Sequence, residues 1–354
     1  MLINLIGKSY DELVLEIQSI GEKSFRAKQL WHYIYEKGIQ NFDEMTSLSK
    51  DFRKTLNEKY TLSRPQIIKT QQALDGTTKY LLKLQDGKEI ESVYIPNIER
   101  GTLCISSQVG CNMGCTFCYT GTQPMVRNLT SQEIVSQVML VKDLHNDYIR
   151  EEEKRVVGNI VFMGMGEPLQ NYKEVVKSIF IFNHNEGLAI SKRKITVSTC
   201  GIIPKIEQLA KDIAVNLSIS LHSPNNTQRS AIMPINDNYK IEELLEVIKK
   251  YYETSNAKKV TIVYIMLKGV NDSDEHAHSL AKLAKGLPIK FNLIPFHPWE
   301  GCEFESSSNT RIADFADILC SYGFSAPIRT TRGDDIMAAC GQLKSSTIKE
   351  KKSV

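Results

Sequence analysis

Three cysteines stand close together in the run Cys111-Asn112-Met113-Gly114-Cys115-Thr116-Phe117-Cys118. Thiolates separated by three and then by two residues can meet one face of an iron–sulfur cluster from a tight loop, and Gly110 and Gly114 ease the turns that this requires. Three thiolates leave one iron of a [4Fe–4S] cluster without a protein ligand, so a small molecule can chelate it. The plainer alternative is zinc. Zinc normally takes a fourth Cys or His at short spacing, and His145 is too far along the chain to supply one.

Several other places attract attention. Gly164-Met165-Gly166-Glu167-Pro168 is a glycine-rich turn in which backbone can approach a ligand closely and Glu167 adds an acceptor, although alone such a turn can be a mere strand-to-loop corner. Ser198, Ser220, Leu221 and His222 fall near the ends of later strands, where each also reads as a loop hydroxyl, a cap or a core residue. Cys104 sits in an apolar strand start between Leu103 and Ile105, and Cys340 lies in Ala338-Ala339-Cys340-Gly341-Gln342-Leu343. By residue type both pass as small buried thiols.

The elements that must position these residues read as an α/β chain. Candidate strands at 102–106, 160–163, 194–198, 215–221, 260–267 and 289–294 alternate with helices near 130–145, 171–185, 204–211, 241–252, 274–285 and 309–322. Thr130 and Glu133 form a capping box at the first of these helices. Alternation of this kind predicts parallel strands with right-handed crossovers, and six units rather than eight predict a partial (β/α)6 barrel. Sites in parallel barrels lie at the carboxyl ends of strands, where the cysteine loop and the glycine-rich turn both fall. Residues 1–62 read as a small helical domain, and 63–96 as a linker holding a β-hairpin with its turn at Asp86-Gly87 and Pro96 closing it. The core is expected over 97–343, followed by a flexible lysine-bearing tail at 344–354.

Composition bounds the class. Of the 354 residues, 42% are hydrophobic and 24% charged, as in ordinary soluble globular proteins. No run of 18 apolar residues occurs and Met1 to Tyr10 does not read as a secretory signal, so a cytoplasmic protein with no membrane partner is expected. A net charge of +3 is too mild to announce a nucleic-acid partner by itself. Eight cysteines in such a chain favour metal or catalytic use over a structural disulfide framework, with Cys200, Cys302 and Cys320 incidental.

The Cys-x3-Cys-x2-Cys loop with Phe117 before its last cysteine resembles the radical S-adenosylmethionine (SAM) superfamily. The resemblance implies that Cys111, Cys115 and Cys118 hold a [4Fe–4S] cluster whose open iron chelates SAM. It further implies a SAM pocket formed by Gly166, Glu167, Ser198, Ser220, Leu221 and His222. Ser106-Ser107-Gln108-Val109-Gly110-Cys111, Phe162-Met163-Gly164-Met165-Gly166-Glu167-Pro168 and Ala338 to Leu343 together are similar to the RNA adenine-C2 methyltransferases of the RlmN type, over nearly the whole chain.

That second resemblance implies a reaction. Two SAM molecules are used per turnover to methylate C2 of an adenine in 23S rRNA, at the peptidyl transferase centre, and of adenine 37 in tRNAs. Adenine C2 lies between two ring nitrogens and is electrophilic, so it cannot attack a SAM methyl group, and a radical route is needed. Cys340 is then the carrier that becomes S-methylcysteine, and Glu91 the proton acceptor. Cys104 resolves the RNA adduct through a transient disulfide with Cys340, by ordinary thiolate attack on sulfur. The same likeness implies that the N-terminal domain is an RNA-binding accessory, which supports Arg26, Lys28, Lys50, Arg53 and Lys54 as phosphate contacts; Lys192-Arg193-Lys194 are candidates too, although each basic residue taken singly reads more readily as a solvated surface charge. An external electron donor such as flavodoxin or ferredoxin, and a monomeric enzyme, are also expected. One departure stands out. The family usually has Asn where this chain has His297, and that Asn contacts SAM; histidine still offers one hydrogen bond. The competing readings are a C8-adenine rRNA methyltransferase of the related resistance type and, from another class, a non-catalytic zinc-dependent RNA-binding protein.

Overall fold

The computed structural model describes residues 2–98, 100–255 and 260–344; the expected tail beyond Lys344 lies outside them. The N-terminal unit opens with a short strand β1 (Ile3–Asn4), then helices α1 (Tyr10–Ser19), α2 (Phe25–Trp31) and α3 (Lys50–Lys59), and β2 (Tyr60–Thr61), which pairs parallel to β1. Helix α1 starts on a capping box in which Ser9 and Glu12 satisfy each other's backbone amides. Its buried face, Leu13 and Ile17, packs into the core shared with Trp31, Tyr35 and Phe52.

Residues 66–95 form three antiparallel strands, β3 (Gln66–Gln72), β4 (Thr78–Lys83) and β5 (Glu89–Ile95), followed by β6 (Gly101–Cys104). After the two-stranded pairing of β7 (Gln108–Val109) with β8 (Arg127–Asn128), the chain alternates regularly. Helix α4 (Ser131–Leu144) precedes β9 (Val157–Phe162), and helices α5 (Tyr172–Asn183), α6 (Ile203–Asp212), α7 (Asn226–Ile232), α8 (Ile241–Thr254), α9 (Asp274–Leu283) and α10 (Asn309–Ser321) separate or follow β10 (Ile195–Thr199), β11 (Asn216–Ser220), β12 (Val260–Met266) and β13 (Ile289–Pro295). Strands β9 to β13 join β3 to β6 in one nine-stranded sheet ordered β13-β12-β11-β10-β9-β6-β5-β4-β3. Its six strands from β13 to β6 are parallel, as the alternation predicts.

The hairpin at 78–95 is no detached linker in this sheet. Strand β5 pairs antiparallel with β6, so the free edge that an open parallel sheet would present is covered by β5, β4 and β3 in turn. Periodicity marks strands but not their partners, which is why the sequence shows the hairpin and hides its attachment. The third strand, β3, carries no signal in the sequence: its residues are largely exposed and polar, so it lacks the apolar alternation that announces a strand.

Register then decides which residues share the concave face. Side chains alternate along a strand, and paired residues point the same way. Val93 pairs with Cys104 and with Lys79, and Leu81 pairs with Glu91, so Lys79, Glu91, Val93 and Cys104 share one face. Cys104 pairs with Val161, Val161 with Thr196, Ser198 with Ser218, Ser220 with Val263, and Ile265 with Ile294. The pleat therefore carries Ser198, Ser220, Val263, Ile265 and Ile294 onto the face of Cys104.

Candidate active site

Cys111, Cys115 and Cys118 follow β7 in a loop turned back by a short helical turn at Thr120–Thr122. The amide of Cys118 bonds the Cys115 carbonyl at 3.1 Å, and that of Thr116 bonds the Ile232 carbonyl at the end of α7, also at 3.1 Å. All three thiols line one open cavity of about 160 Å³, bordered by Met163, Gly164, Gly166, Glu167, Ser198, Ser220, His222, Cys200 and Cys340. Burial pushes each thiol up, Cys111 to about 12, with the neighbouring cysteines adding to the rise. Against this, backbone amides of Thr120 and Gly121 donate to Cys118, and that of Met113 to Cys111.

This donor set suits thiolates facing a cationic centre. Among the described residues no three His, Cys, Asp or Glu side chains converge tightly enough to hold a single ion. A four-iron cluster needs something different, one thiolate at each of three corners and a fourth corner open. Three thiols lining one open cavity fit that requirement.

The glycine-rich turn forms the floor. Gly166 has φ +95°, and a Cβ there would lie 2.5 Å from the Gln108 side chain; at Gly164 it would lie 2.6 Å from the Ile105 carbonyl oxygen. Only glycine fits either place. Glu167 is buried, with Oε1 accepting from the Leu169 amide and Oε2 from the Cys200 amide, each at 2.9 Å. Burial raises its pKa, and those two amides oppose the rise. Each oxygen keeps lone-pair capacity for a further donor, such as an ammonium group.

His222 lies at the carboxyl end of β11 with a left-handed φ of +60°. Its Nδ1 accepts from the Ile265 amide at 3.0 Å and its carbonyl from Asn271 Nδ2 at 2.8 Å. Burial lowers its pKa to about 3, with the charge of Arg229 adding to the effect, so the ring is neutral. With Nδ1 accepting, the proton sits on Nε2. Leu221, between Ser220 and His222, is buried outside this cavity and its carbonyl accepts from Arg229 Nε.

Cys340 sits on the wall that separates this cavity from a second, smaller one, and lines both; Cys104 lines only the smaller, with Val93, Met163, Ile294 and Arg329. Burial pushes the Cys104 thiol to about 12, Cys340 adds to the rise and Arg329 opposes it. Both are free thiols here. The strap bearing Cys340 is fastened on several sides. The Tyr119 amide bonds the Gly341 carbonyl and Thr120 Oγ1 the Leu343 carbonyl, each at 2.6 Å, and Gln342 Nε2 bonds the Pro298 carbonyl at 3.1 Å.

Glu91 borders neither cavity. It is 5% exposed beneath the end of the strap, where Oε2 accepts from the Lys344 amide at 2.8 Å and Oε1 pairs with Lys79 Nζ at 3.2 Å. Burial raises its pKa and Lys79 opposes the rise. A buried network supports it. Ser106 Oγ donates to the Glu91 carbonyl at 2.6 Å and accepts from the Met165 amide, while Gln137 binds Ser92 and both backbone groups of Ser106. His297 lies with Cys104 on the smaller cavity. Its ring lies 2.9 Å from Thr331 Oγ1, and it is absent from the walls of the larger.

Some functional groups escaped sequence reading. Arg229 is wholly buried and donates to the carbonyls of Leu221 (3.1 Å), Cys200 (2.8 Å) and Ser220 (3.1 Å) and to Asn236 Oδ1 (3.0 Å), stitching the ends of β10 and β11 together behind the cavity. Lys79 and Cys200, read as incidental or not at all, also stand at the site. Of the basic residues expected to meet RNA, Lys28, Lys50, Lys54, Lys192 and Arg193 are exposed, and Arg26, Arg53 and Lys194 are half-buried. Lys28 also pairs with Glu186 at the surface, and Arg26 lies over the rings of Phe25 and Phe52.

Comparison with known proteins bears on this geometry. Residues 105–281 match the Radical SAM superfamily, and residues 3–62 match the ribosomal RNA large subunit methyltransferase N-terminal domain. Relatives named dual-specificity RNA methyltransferase RlmN include one from Rhodospirillum rubrum, 48% identical over 99% of this chain and 82% of its own, and one from Caulobacter vibrioides, 48% identical over 99% and 89%. The crystal structure of a radical SAM methyltransferase from Sphaerobacter thermophilus superposes with a TM-score of 0.90 at 39% identity, covering 97% of this chain and 99% of that one. A cluster loop, a glycine-rich floor and a strap-borne cysteine thus occur in a chain similar to these proteins along almost its whole length, and it belongs to the dual-specificity RNA methyltransferase RlmN family of radical SAM enzymes.

Proposed function

We propose that the protein methylates C2 of adenine in 23S rRNA, at the peptidyl transferase centre, and of adenine 37 in tRNAs, with Cys340 as methyl carrier. The observation that carries this reading is the place of Cys340 on the partition between two cavities, one walled by the three cluster thiols and the other by Cys104. When bound, the cluster and SAM supply a methyl group to Cys340 and then a 5′-deoxyadenosyl radical that activates it. The remaining work falls to the chain's own residues. Gly166, Glu167, Ser198, Ser220 and the Nε2–H of His222 would hold SAM against the open iron. Leu221 would contribute through its backbone, and His297 through the loop that carries it.

Cys340 would present its sulfur and methyl group to the larger cavity and remain within reach of Cys104 on the smaller side. Glu91 would take the proton that leaves C2, for which the end of the strap over its carboxylate must yield to the RNA. Cys104 would then attack the Cys340 sulfur, forming a transient disulfide and freeing the methylated base; an outside reductant restores both thiols. Residues 1–62 would serve as an RNA-binding accessory, and the exposed Lys50, Lys54, Lys192 and Arg193 would contact phosphate. Among the described residues no helix is long and apolar enough to cross a membrane. The protein would work as a cytoplasmic monomer that receives electrons from flavodoxin or ferredoxin.

The test is anaerobic incubation of the reconstituted enzyme with unmodified rRNA or tRNA, SAM and reductant, followed by mass spectrometry of the nucleosides. 2-Methyladenosine should form, and should vanish with Cys340→Ala or Cys118→Ala, while Cys104→Ala should leave RNA covalently bound to protein. 8-Methyladenosine would move the position of methylation. SAM cleavage with no methylated adenosine would overturn the substrate assignment.

A further inference from the structure

Lys79 is a buried cation that no step above employs. It lies on β4, 7% exposed, on the concave face fixed by the register of β4 with β5. Its ammonium has two partners, Glu91 Oε1 at 3.2 Å and the Met337 carbonyl at 3.1 Å. Met337 opens the strap, three residues before Cys340, and the other Glu91 oxygen accepts from Lys344, four residues after Cys340. The ion pair thus grips the methyl-carrier strap on both flanks of the reactive sulfur.

Two consequences follow from elementary electrostatics. A carboxyl group with so little water around it favours its neutral form, and a neutral carboxylic acid cannot accept a proton. A cation at 3.2 Å opposes that preference in a medium where charge is weakly screened. The charges facing Glu91 from neighbouring elements are Lys79 on β4, Lys69 on β3, and the strap through the Lys344 amide. The Lys344 ammonium is engaged elsewhere, on Tyr119. Lys79 is the only one of these in contact as an ion.

We propose that Lys79 is a positioning residue for methyl transfer, holding Glu91 ionised as the proton acceptor and tying it to the strap that carries Cys340. The inference rests on the reading of Glu91 given above. Removing the cation should leave Glu91 protonated up to higher pH, so deprotonation of the RNA adduct should fail first on the acid side. The tether to Met337 makes a second mark: without it the strap should lose protection even when no RNA is present.

The experiment follows covalent protein–RNA adduct and methylated product in the reconstituted enzyme across pH 6 to 9, for Glu91→Gln, Lys79→Met, Lys79→Gln and Lys79→Arg. Glu91→Gln should accumulate adduct at every pH. Lys79→Met and Lys79→Gln should form product roughly tenfold more slowly at the acid end, short of the 10²–10⁴-fold carried by a general base itself, with the profile moved to higher pH. Lys79→Arg, which keeps the charge, should follow the parent profile. Hydrogen exchange over residues 338–343 should rise in Lys79→Met and not in Lys79→Arg; Lys79→Gln, which keeps a donor for Met337, should lie between. Should Lys79→Met fold poorly, the glutamine variant carries the charge test alone. If Glu91→Gln turns over without trapped RNA, the assignment of the base is wrong and the role of Lys79 falls with it. If Glu91→Gln traps RNA while the neutral Lys79 variants keep the parent pH profile, the proposal for Lys79 alone is overturned.

Discussion

Replacing Arg229 by methionine removes a guanidinium with no solvent exposure and leaves a chain of similar reach. Four close acceptors lose a donor at once, the carbonyls of Leu221, Cys200 and Ser220 and Asn236 Oδ1, and the Tyr239 carbonyl loses a longer contact at 3.5 Å. Leaving a buried acceptor unpaired costs about 1–3 kcal/mol, so the gross loss is about 4–12 kcal/mol. The variant also no longer buries a cation, which returns several kcal/mol. A net destabilisation of about 3–5 kcal/mol is expected. Lysine can reach some of these acceptors with its three donors, so Arg229→Lys should lose about half as much. Urea unfolding of the cluster-free protein measures the difference directly, because Arg229 needs no metal to make its bonds. The cavity gives a second reading. Ser220 and the Cys200 segment form its wall, so SAM affinity in the reconstituted variant should drop about tenfold or more, a change of about 1.4 kcal/mol. An Arg229→Met protein within about 1 kcal/mol of the parent would show that the carbonyls find other partners and that Arg229 does not brace the pocket.

Three further perturbations test separate parts of the site. Gly166→Ala places a Cβ 2.5 Å from Gln108 at a backbone φ of +95°. It should cost about 1–3 kcal/mol, and calorimetry should show SAM binding lost or much weakened, whereas parent-like binding would mean the turn is not the SAM floor. Gln137→Leu strands Ser92 and both backbone groups of Ser106; a loss of about 3 kcal/mol in unfolding free energy is expected, with a stability near the parent counting against the network. His222 has a folded pKa of about 3, below the ordinary value of 6.5, so the unfolded chain binds more protons between those pH values. Its contribution is complete above pH 6.5 and is lost as pH falls toward 3, about 3.5 pH units at about 1.36 kcal/mol each, or about 5 kcal/mol. Acid unfolding of the cluster-free protein should therefore be less steep in His222→Gln, and identical slopes would refute the buried neutral ring.

The sequence by itself determined the parts of this protein that are local. Strand and helix alternation is a matter of apolar period, and the six parallel strands appear with ends within a few residues of those expected. The capping box at Thr130 and Glu133 forms because its two partners are three residues apart on one backbone turn. The cluster loop is equally local, since its three cysteines lie within eight residues and glycine permits its turns. Gly166, Glu167, Ser198, Ser220 and His222, which the family resemblance assigns to SAM, stand at or just beyond strand ends and border the cavity as a group, whereas Leu221, assigned with them, does not.

Tertiary structure alone decided the rest, because pairing across long separations leaves no mark in a single chain's periodicity. Glu91 looks like a solvated hairpin residue until β5 joins β6 and the strap closes over it from 253 residues away. Cys104 and Cys340 read as inert core thiols until the fold sets them on one small cavity. His297 lies in a loop that sequence assigns to SAM, yet its ring lies beside Thr331 on the smaller cavity, a choice made by side-chain packing. Lys79 and Arg229 are the clearest cases. A lysine on a hairpin and an arginine on a short helix are ordinarily exposed, and only the register of the sheet and the closure of the loops behind it bury them against the carboxylate and the carbonyls that give them meaning.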